Sequence, residues 1–239
     1  MDDSIENETD QLGGGGVWDT DIYDCVVAQA WAGKSDGGAA FVTLHLKNDQ
    51  GREMRETIYV SSGDAKGNLN YYEKDGQKHY LPGFNMVNAL CLLTVGVPLH
   101  EVRTEDKTVE IWNSEAKEEV PTQVPVLVDL LNKPIYAAVI RQTVDRQKKG
   151  DDGQYHPTGE TRDKNTIDKF FDHDSKRTTA EIRAEASESE FFERWAEKNR
   201  GNTRNKASKD ASQGGTTGSA GFAAGAGEQK PTSSLFAKK

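Results

Sequence analysis

Hydrophobic and polar residues alternate in two neighbouring segments of the chain, which is the pattern of β-strands that bury one face. In residues 40–47 and 52–60 the aliphatic positions point to one side, and the polar turn at 48–51 predicts a hairpin between them. The residues predicted to point inward are Val42, Leu44, Leu46, Met54, Ile58 and Val60. An apolar, β-branched segment at 21–31 precedes them, so we expect a three-stranded antiparallel meander.

The apolar residues take helical spacing in residues 84–95, and Gly96 and Pro98 predict the end of that helix. Two further strands are predicted at 108–112 and 135–144, with an additional apolar segment at 124–131. The order of three strands, a helix and two strands is that of the five-stranded OB barrel, whose helix lies between strands 3 and 4. We therefore predict a mainly β protein with an OB-fold. Other small β-barrels and sandwiches share most of this order.

Residues 61–80 do not fit the core pattern, because they are polar and rich in glycine. We interpret them as a long insertion loop that contains a small hairpin around Asp75 and Gly76. Loops of this length usually carry a function.

The distribution of hydrophobic residues predicts the domain limits. Residues 17–145 hold 34 of the 45 Leu, Ile, Val and Phe residues. Thr178 and Glu181 have the spacing of a capping box, which predicts the start of a helix. The expected units are a flexible acidic arm at 1–16, the OB-fold domain at 17–175, a helix at 178–200, and a disordered Gly/Ser-rich tail with a basic tip at 201–239.

The net charge of −9 argues against a protein that coats polyanions indiscriminately, but the two ends differ in sign. Residues 1–12 carry five acids and no base, whereas residues 201–239 carry six bases and two acids. The longest apolar run, 87–97, is about half the ~20 residues that span a bilayer, so we expect no membrane segment. An acidic N-terminus is not a secretory signal. The two cysteines lie in apolar surroundings, so we expect buried side chains and a reducing cytoplasm.

A search for catalytic patterns finds none. The five histidines lack the spacing of metal ligands, and Asp172-His173-Asp174 has no fourth ligand nearby in the sequence. The glycines at 13–16 are not followed by the Lys-Ser/Thr of a phosphate-binding loop. We therefore expect no enzyme activity, no metal and no cofactor.

Aromatic residues interleaved with lysines are the chemical feature that remains. Unpaired bases stack on aromatic rings while lysines hold the phosphates, so this combination is typical of single-stranded nucleic acid binding. Phe41 and Tyr59 are predicted on the strand face opposite the core, which is where OB-folds bind their ligands. The candidate binding residues are Trp31, Lys34, Tyr59, Lys66, Tyr71, Tyr72, Lys74, Lys78, Tyr80 and Arg141. The alternative is that the aromatic rings form a satellite core under the 61–80 loop, whose charges balance.

The sequence resembles the single-stranded DNA-binding proteins of lytic short-tailed bacteriophages, the type that carries a virion RNA polymerase. The resembling segments are Gly63-Asp64-Ala65-Lys66-Gly67, Tyr71-Tyr72, Tyr80-Leu81-Pro82-Gly83-Phe84, Leu90-Cys91-Leu92-Leu93-Thr94, Glu105-Asp106-Lys107-Thr108-Val109 and Asn165-Thr166-Ile167-Asp168-Lys169-Phe170-Phe171. The resemblance implies an OB-fold protein that coats single-stranded DNA during phage replication and recombination in the cytoplasm of the infected bacterial host. It also implies recruitment of replication or transcription proteins, including RNA polymerase, through the C-terminal segment.

The C-terminal segment departs from the acidic tail that is common among single-strand binders. It keeps an apolar pair but ends on lysines, so the candidate partner-binding residues are Leu235, Phe236, Lys238 and Lys239. Such a segment suits an acidic surface on a partner such as RNA polymerase, and transcription activation is a further implied role.

Two other functions stay open at the level of sequence. The first is a protein-interaction adaptor that acts as a transcription regulator. In that case the OB domain is only a scaffold and DNA binding is not essential. The second is a recombination mediator that anneals complementary strands.

Overall fold

The computed structural model describes residues 16–113, 116–150 and 155–208. The acidic arm up to residue 15 and the tail from residue 209, with its four candidate partner-binding residues, lie outside this part. Ten strands and three α-helices form in the described residues. The strands are β1 (Asp21–Lys34), β2 (Ala40–Asn48), β3 (Glu53–Tyr59), β4 (Tyr71–Lys74), β5 (Gln77–Tyr80), β6 (Thr104–Asn113), β7 (Glu118–Leu127), β8 (Pro134–Lys149), β9 (Tyr155–Phe171) and β10 (Thr203–Asn205). The helices are α1 (Pro82–Val95), α2 (Thr179–Arg183) and α3 (Phe191–Asn199).

The predicted meander is confirmed by antiparallel pairing of β1 with β2 and of β2 with β3. Val42, Leu44 and Leu46 are buried, as the alternation predicts. The turn between β2 and β3 is held by Asn48, whose Oδ1 accepts hydrogen bonds from the backbone N–H groups of residues 50 and 52. These two hydrogen bonds from Asn48 therefore stabilise the turn that was predicted between the two strands.

The hairpin predicted inside residues 61–80 is also confirmed. β4 pairs with β5, and the turn residues Asp75 and Gly76 have φ values of 53° and 72°. Positive φ at both central residues is the geometry of the tight turns that join two strands in register.

The predicted helix is α1, which begins two residues earlier than expected because Pro82 occupies its first turn. Gly96 ends the helix at φ 75°, and Val87, Leu90 and Cys91 are buried. The two cysteines fulfil their prediction, because burial raises the pKa of each thiol, Cys25 and Cys91, to about 12. A thiol with so high a pKa stays protonated and behaves as a small apolar side chain.

Of the later strands, the one predicted at 135–144 is confirmed as part of β8, and the others differ from the prediction. The segment 108–112 is part of the β6–β7 hairpin, which meets the rest of the sheet at the pair Trp31↔Val126. The strands that follow β1 in the sheet are instead β8 and β9. β9 was missed because its first half is polar and exposed, so no hydrophobic alternation marks it.

The sheet is mainly antiparallel and is not closed. Its order is β3-β2-β1-β8-β9, and β3 and β9 share no backbone ladder within the described residues. A side chain spans the gap: the Glu56 carboxylate of β3 accepts hydrogen bonds from Thr166 Oγ1 and from the backbone N–H of Ile167, both at 2.6 Å. Burial raises the pKa of the Glu56 carboxyl.

The predicted helix at 178–200 is two helices. The capping box is confirmed at Thr178 and Glu181, but α2 ends at Arg183. The other Glu181 oxygen accepts hydrogen bonds from the backbone N–H groups of Glu190 and Phe191, so the same carboxylate also holds the start of α3. Because one side chain serves both helix starts, the chain turns sharply between them.

α3 packs on the outside of β8 and β9 in a second apolar cluster. Phe192 and Trp195 are buried against Ala138, Ile140 and Phe171. Beyond this helix β10 pairs in parallel with residues 141–143 of β8. The first residues of the segment predicted as tail, which starts at 201, therefore belong to the sheet.

Within the described residues, no helix has the length and apolar character needed to cross a membrane.

Candidate nucleic-acid interface

One face of the β1–β2–β3 meander lies opposite the core, and cross-strand pairing decides which side chains share it. Phe41 pairs with Tyr59, and their rings are 5.8 Å apart in an edge-to-face contact. Two positions along, Thr43 and Thr57 share a hydrogen bond of 2.9 Å between their hydroxyls. The prediction that Phe41 and Tyr59 lie on the face opposite the aliphatic residues is confirmed, and the Tyr59 side chain is 53% exposed.

The β4–β5 hairpin divides the predicted tyrosines between its two faces. Tyr71 pairs with Tyr80, with ring centroids 6.2 Å apart, and Tyr72 pairs with His79, with stacked rings at 5.3 Å. Successive residues of a strand point to opposite faces. Tyr71 and Tyr72 therefore cannot contact the same base from one side of the hairpin.

The face that carries Tyr71 continues onto α1. Lys78 Nζ lies 4.4 Å from the centroid of the Tyr71 ring, which places the ammonium group over its π-face. Tyr80 stacks on Phe84 at 5.3 Å and is still 49% exposed. This face therefore combines one exposed ring, Tyr80, with the half-buried ring of Tyr71 and one cation.

The face that carries Tyr72 is the more open one. Tyr72 is 51% exposed, and Lys74 lies two residues along the same strand and so on the same side. Alternate residues of a strand are about 7 Å apart, which is close to the spacing of neighbouring nucleotides in an extended single strand, so Lys74 could reach a phosphate beside a base on Tyr72.

Two glycines bring the 61–80 loop against the β1–β2 turn. The Asp64 carboxylate lies where a Cβ on Gly38 would stand, with Oδ2 at 2.0 Å from that position. A Cβ on Gly63 would lie 2.7 Å from the carbonyl oxygen of Gly37, and the Asp64 N–H donates to that same carbonyl at 2.9 Å. This contact gathers exposed Lys34, at the end of β1, and exposed Lys66 to the same end of the sheet as Tyr59.

Trp31 lies on the same face but is covered, which corrects its prediction as a stacking residue. It is 4% exposed, with the Arg55 guanidinium 5.5 Å from its ring and His45 in an edge contact at 5.3 Å. Arg55 Nε also donates to His45 Nε2. Burial, together with the positive charge of Arg55, lowers the pKa of His45 to about 4, so this imidazole is neutral at physiological pH.

Arg141 is removed from the candidate site for another reason. Its Nε donates to Asp163 Oδ2 at 2.9 Å, and a second guanidinium nitrogen lies 3.3 Å from Asp19 Oδ1. The hydrogen bonds to Asp163 raise the pKa of Arg141 further above its usual range. A guanidinium already shared between two carboxylates is a structural link between strands and is poorly placed to bind phosphate.

Arg55 is the residue that the sequence interpretation missed. It is exposed and lies on the face that carries Tyr59, and its guanidinium caps the Trp31 ring. The alternation that predicts Thr57 and Tyr59 to point outward predicts Arg55 to point outward as well. The sequence signal for Arg55 was therefore its outward position in the alternation of β3.

His173 is the histidine that most resembles a catalytic or metal-binding group. Its Nε2 lies 3.3 Å from Asp24 Oδ1 and its Nδ1 lies 3.6 Å from Asp174 Oδ1, while its ring stacks on Tyr136 at 5.2 Å. Among the residues that the structure describes, no group of three or more His, Cys, Asp or Glu side chains is placed to hold a metal ion. The ring stacked on Tyr136 indicates a packed structural side chain at the surface.

The geometry thus defines a β-rich protein with exposed tyrosines and lysines at the end of β3 and on the β4–β5 hairpin. No known protein-family model matches the chain, and no curated protein matches it significantly.

Proposed function

We propose that this protein binds single-stranded DNA with little sequence preference. The observation that carries the proposal is the presence of three half-exposed tyrosines in neighbouring segments of the chain, Tyr59 at the end of β3 and Tyr72 and Tyr80 on the β4–β5 hairpin. Every base offers a π-face that can stack on such a ring, and lysines near the ring can hold the adjoining phosphate. Each stacked base contributes roughly 1–3 kcal/mol.

The phosphates are held by lysines around these rings. We assign this role to Lys34, Lys66, Lys74 and Lys78, which surround the tyrosines, and we add Arg55 on the sheet face. Acidic residues in the same loop reduce the net field, but the Asp64 carboxylate is directed at Gly38. The attraction is therefore local, which is compatible with a net charge of −9 for the whole chain.

The strand order supports the finer proposal of an OB-type fold. The path β3-β2-β1-β8-β9, with α1 after β3, has the neighbours expected of the five strands of an OB barrel. In this interpretation the β6–β7 hairpin is an insertion before the fourth strand, and the Glu56 side chain stands in for the missing ladder between β3 and β9.

The biological setting follows from the resemblance and is part of the proposal. The protein coats single strands during phage DNA replication and recombination in the cytoplasm of the bacterial host. The tail residues Leu235, Phe236, Lys238 and Lys239 recruit replication proteins or RNA polymerase, through which the protein activates transcription.

The test is a titration of the full chain with an oligo(dT) of a length that one copy covers, at several salt concentrations. We expect binding that weakens with salt, because lysine–phosphate contacts release counterions. Tyr72→Ala should weaken affinity about tenfold, whereas the control Tyr155→Ala, which removes a 65% exposed ring on β9, should change it less than twofold. Absence of binding, or equal effects of the two variants, would overturn the proposal or its site.

A specific observation favours the protein-interaction adaptor as the second candidate. α1, β9 and α2 enclose a groove of about 610 Å³ lined by Met86, Ala89, Ile167 and Phe191. Apolar grooves of this size can hold a peptide side chain or a short helix.

Deletion of residues 209–239, which leaves β10 paired, should abolish partner capture under the main proposal and leave oligo(dT) binding intact. Under the adaptor function, Met86→Lys should abolish capture and oligo(dT) should not bind.

A further inference from the structure

The β6–β7 hairpin extends away from the sheet. Its ladder runs from Thr104↔Leu127 to Asn113↔Glu118, and Val126 alone pairs with the rest of the described sheet. In the part of the chain that the structure describes, β6 pairs with β7 and with no other strand. The outer edge of β6 therefore offers backbone N–H and C=O groups to an added strand.

The two faces of this hairpin differ. Pairing places Val109, Ile111, Val120 and Val124 on the face that Val126 shares, and all four are half-buried rather than covered. The other face carries Trp112, which is 56% exposed and pairs with Glu119. The first face therefore offers an apolar stripe, and the second offers one exposed ring among polar residues.

The hairpin is acidic. Residues 104–127 contain six acidic residues and two lysines. Near the base, Glu105 is paired with Arg103 and Lys107. Near the tip, Glu110, Glu118 and Glu119 are exposed. A segment that suits this surface would be extended, apolar in part and positively charged.

We propose that the β6–β7 hairpin binds residues 235–239 of a second copy of this chain. This segment, Leu-Phe-Ala-Lys-Lys, supplies two large apolar side chains for the valine stripe or Trp112 and two lysines for Glu118 and Glu119. An extended segment beside β6 would pair with its open edge, so backbone hydrogen bonds add to these contacts.

The positions of the two elements favour a second copy over the hairpin of the same molecule. The described chain ends at Ser208, whose N–H donates to Asp145 on the part of β8 that runs past Asp21. The hairpin joins β1 at Trp31, at the other end of that strand. Asp145 lies six residues beyond Val139, which pairs with Asp21, and Trp31 lies ten residues beyond Asp21 in the opposite direction. At roughly 3.3 Å per residue, Asp145 and Trp31 are therefore about 50 Å apart along the sheet. The expected r.m.s. span of the intervening Gly/Ser-rich sequence is only about 30 Å.

Binding of this kind joins copies head to tail. The tail and the hairpin are different surfaces, so each copy can use both, and the assembly can continue. Copies arranged in a row on one DNA strand would then contact their neighbours, but the contact itself does not depend on DNA. The same tail residues serve the proposed recruitment of other proteins, so a partner would compete with the neighbouring copy.

The test is sedimentation velocity of the full chain without DNA, over a range of concentrations at low and high salt. We expect concentration-dependent association that salt weakens. The variant Glu118→Lys/Glu119→Lys should associate at least tenfold more weakly, and so should Lys238→Glu/Lys239→Glu. The chain that carries all four substitutions should regain association, because the charges are exchanged. Glu188→Lys/Glu197→Lys, which changes the same number of exposed charges beside α3, is the matched control and should behave as the unchanged protein.

Three results would overturn the inference: a monomer at all concentrations, association that both reversals leave unchanged, or no recovery in the four-fold variant. Phe236→Ala gives a second test outside the described fold and should also weaken association. Affinity for a short oligo(dT) should stay within twofold in all of these variants. If the unsubstituted protein does not bind oligo(dT) but does associate, the proposed function fails and this inference stands. If it binds oligo(dT) but does not associate, this inference fails and the proposed function stands.

Discussion

Two hairpins stand apart from the central strands, and their surfaces are opposite in character: β4–β5 forms a small sheet of its own, and β6–β7 is joined to β1 at one pair. The β4–β5 hairpin carries tyrosines with lysines beside their rings, whereas the β6–β7 hairpin carries valines and one tryptophan among glutamates. Both hairpins consist of two antiparallel strands and a turn. Their surfaces therefore differ because of the side chains that they expose. The charge of the neighbours of an exposed ring therefore separates the two hairpins: the lysines of β4–β5 suit nucleic acid, and the glutamates of β6–β7 suit a basic segment of protein.

The largest expected effect separates the two hairpins by DNA affinity. The double variant Tyr59→Ala/Tyr72→Ala removes two stacking surfaces, and we expect about a 100-fold loss of oligo(dT) affinity. Trp112→Ala on the β6–β7 hairpin removes an equally exposed ring and should change affinity less than twofold. Fluorescence anisotropy with a labelled oligonucleotide measures both. A comparable loss in the two variants would show that the hairpins do not divide their functions in this way.

The next effect concerns how the β4–β5 hairpin is held against the sheet. A Cβ on Gly83 would lie 2.0 Å from the carbonyl oxygen of Tyr59, so Gly83→Ala must push the first turn of α1 away from β3. We expect a loss of about 1–3 kcal/mol in the free energy of unfolding, together with weaker oligo(dT) binding, because Phe84 moves with the helix and Tyr80 stacks on it.

The control for that experiment lies in the turn of the same hairpin. A Cβ on Gly76 would meet no atom within 4 Å, although its φ of 72° disfavours other residues. Gly76→Ala should therefore cost about 1 kcal/mol from backbone strain and leave the helix in place. If oligo(dT) affinity falls equally in both variants, the contact between Gly83 and Tyr59 does not position the site. Urea unfolding and the same anisotropy titration provide the two readouts.

A smaller effect distinguishes phosphate contact from a merely charged surface. Lys74→Gln should lower oligo(dT) affinity a few-fold and reduce the slope of log affinity against log salt by about 0.7, the value for one contact to a single strand. Lys117→Gln, in the β6–β7 hairpin, removes the same charge and should leave the slope unchanged. Equal changes in slope would mean that only the net charge of the chain matters.

The sequence was sufficient to predict an element where burial of one face makes hydrophobic residues recur at regular intervals. The meander, α1 and the turn at Asp75–Gly76 follow from alternation, helical spacing and turn chemistry, and all three are confirmed. β9 was missed because a strand that projects into solvent needs no apolar alternation. The break between α2 and α3 was missed because a single carboxylate, Glu181, holds both helix starts, and no local pattern predicts its second pair of hydrogen bonds.

The candidate site was predictable in composition but not in arrangement. Sequence alone indicates aromatic residues and lysines, yet it cannot tell an exposed ring from a covered one. Trp31 is covered because cross-strand pairing places His45 and Arg55 around it, and Arg141 is occupied by carboxylates that are 22 and 122 residues away. Such long-range contacts depend on the strand register, which a single segment does not reveal.

The smallest expected effect tests how tightly Trp31, His45 and Arg55 pack on the outer face of the β1–β2–β3 meander. The pKa of His45 is lowered from 6.5 to about 4, so the folded protein disfavours the charged imidazole. Stability from the neutral ring is then fully present above pH 6.5 and is lost as the pH falls through 6.5 towards 4. His45→Gln, which cannot titrate, should lose less stability than the unchanged protein over that range in urea unfolding. Identical pH profiles would mean that water reaches this ring, and Trp31 would then be open to a base after all.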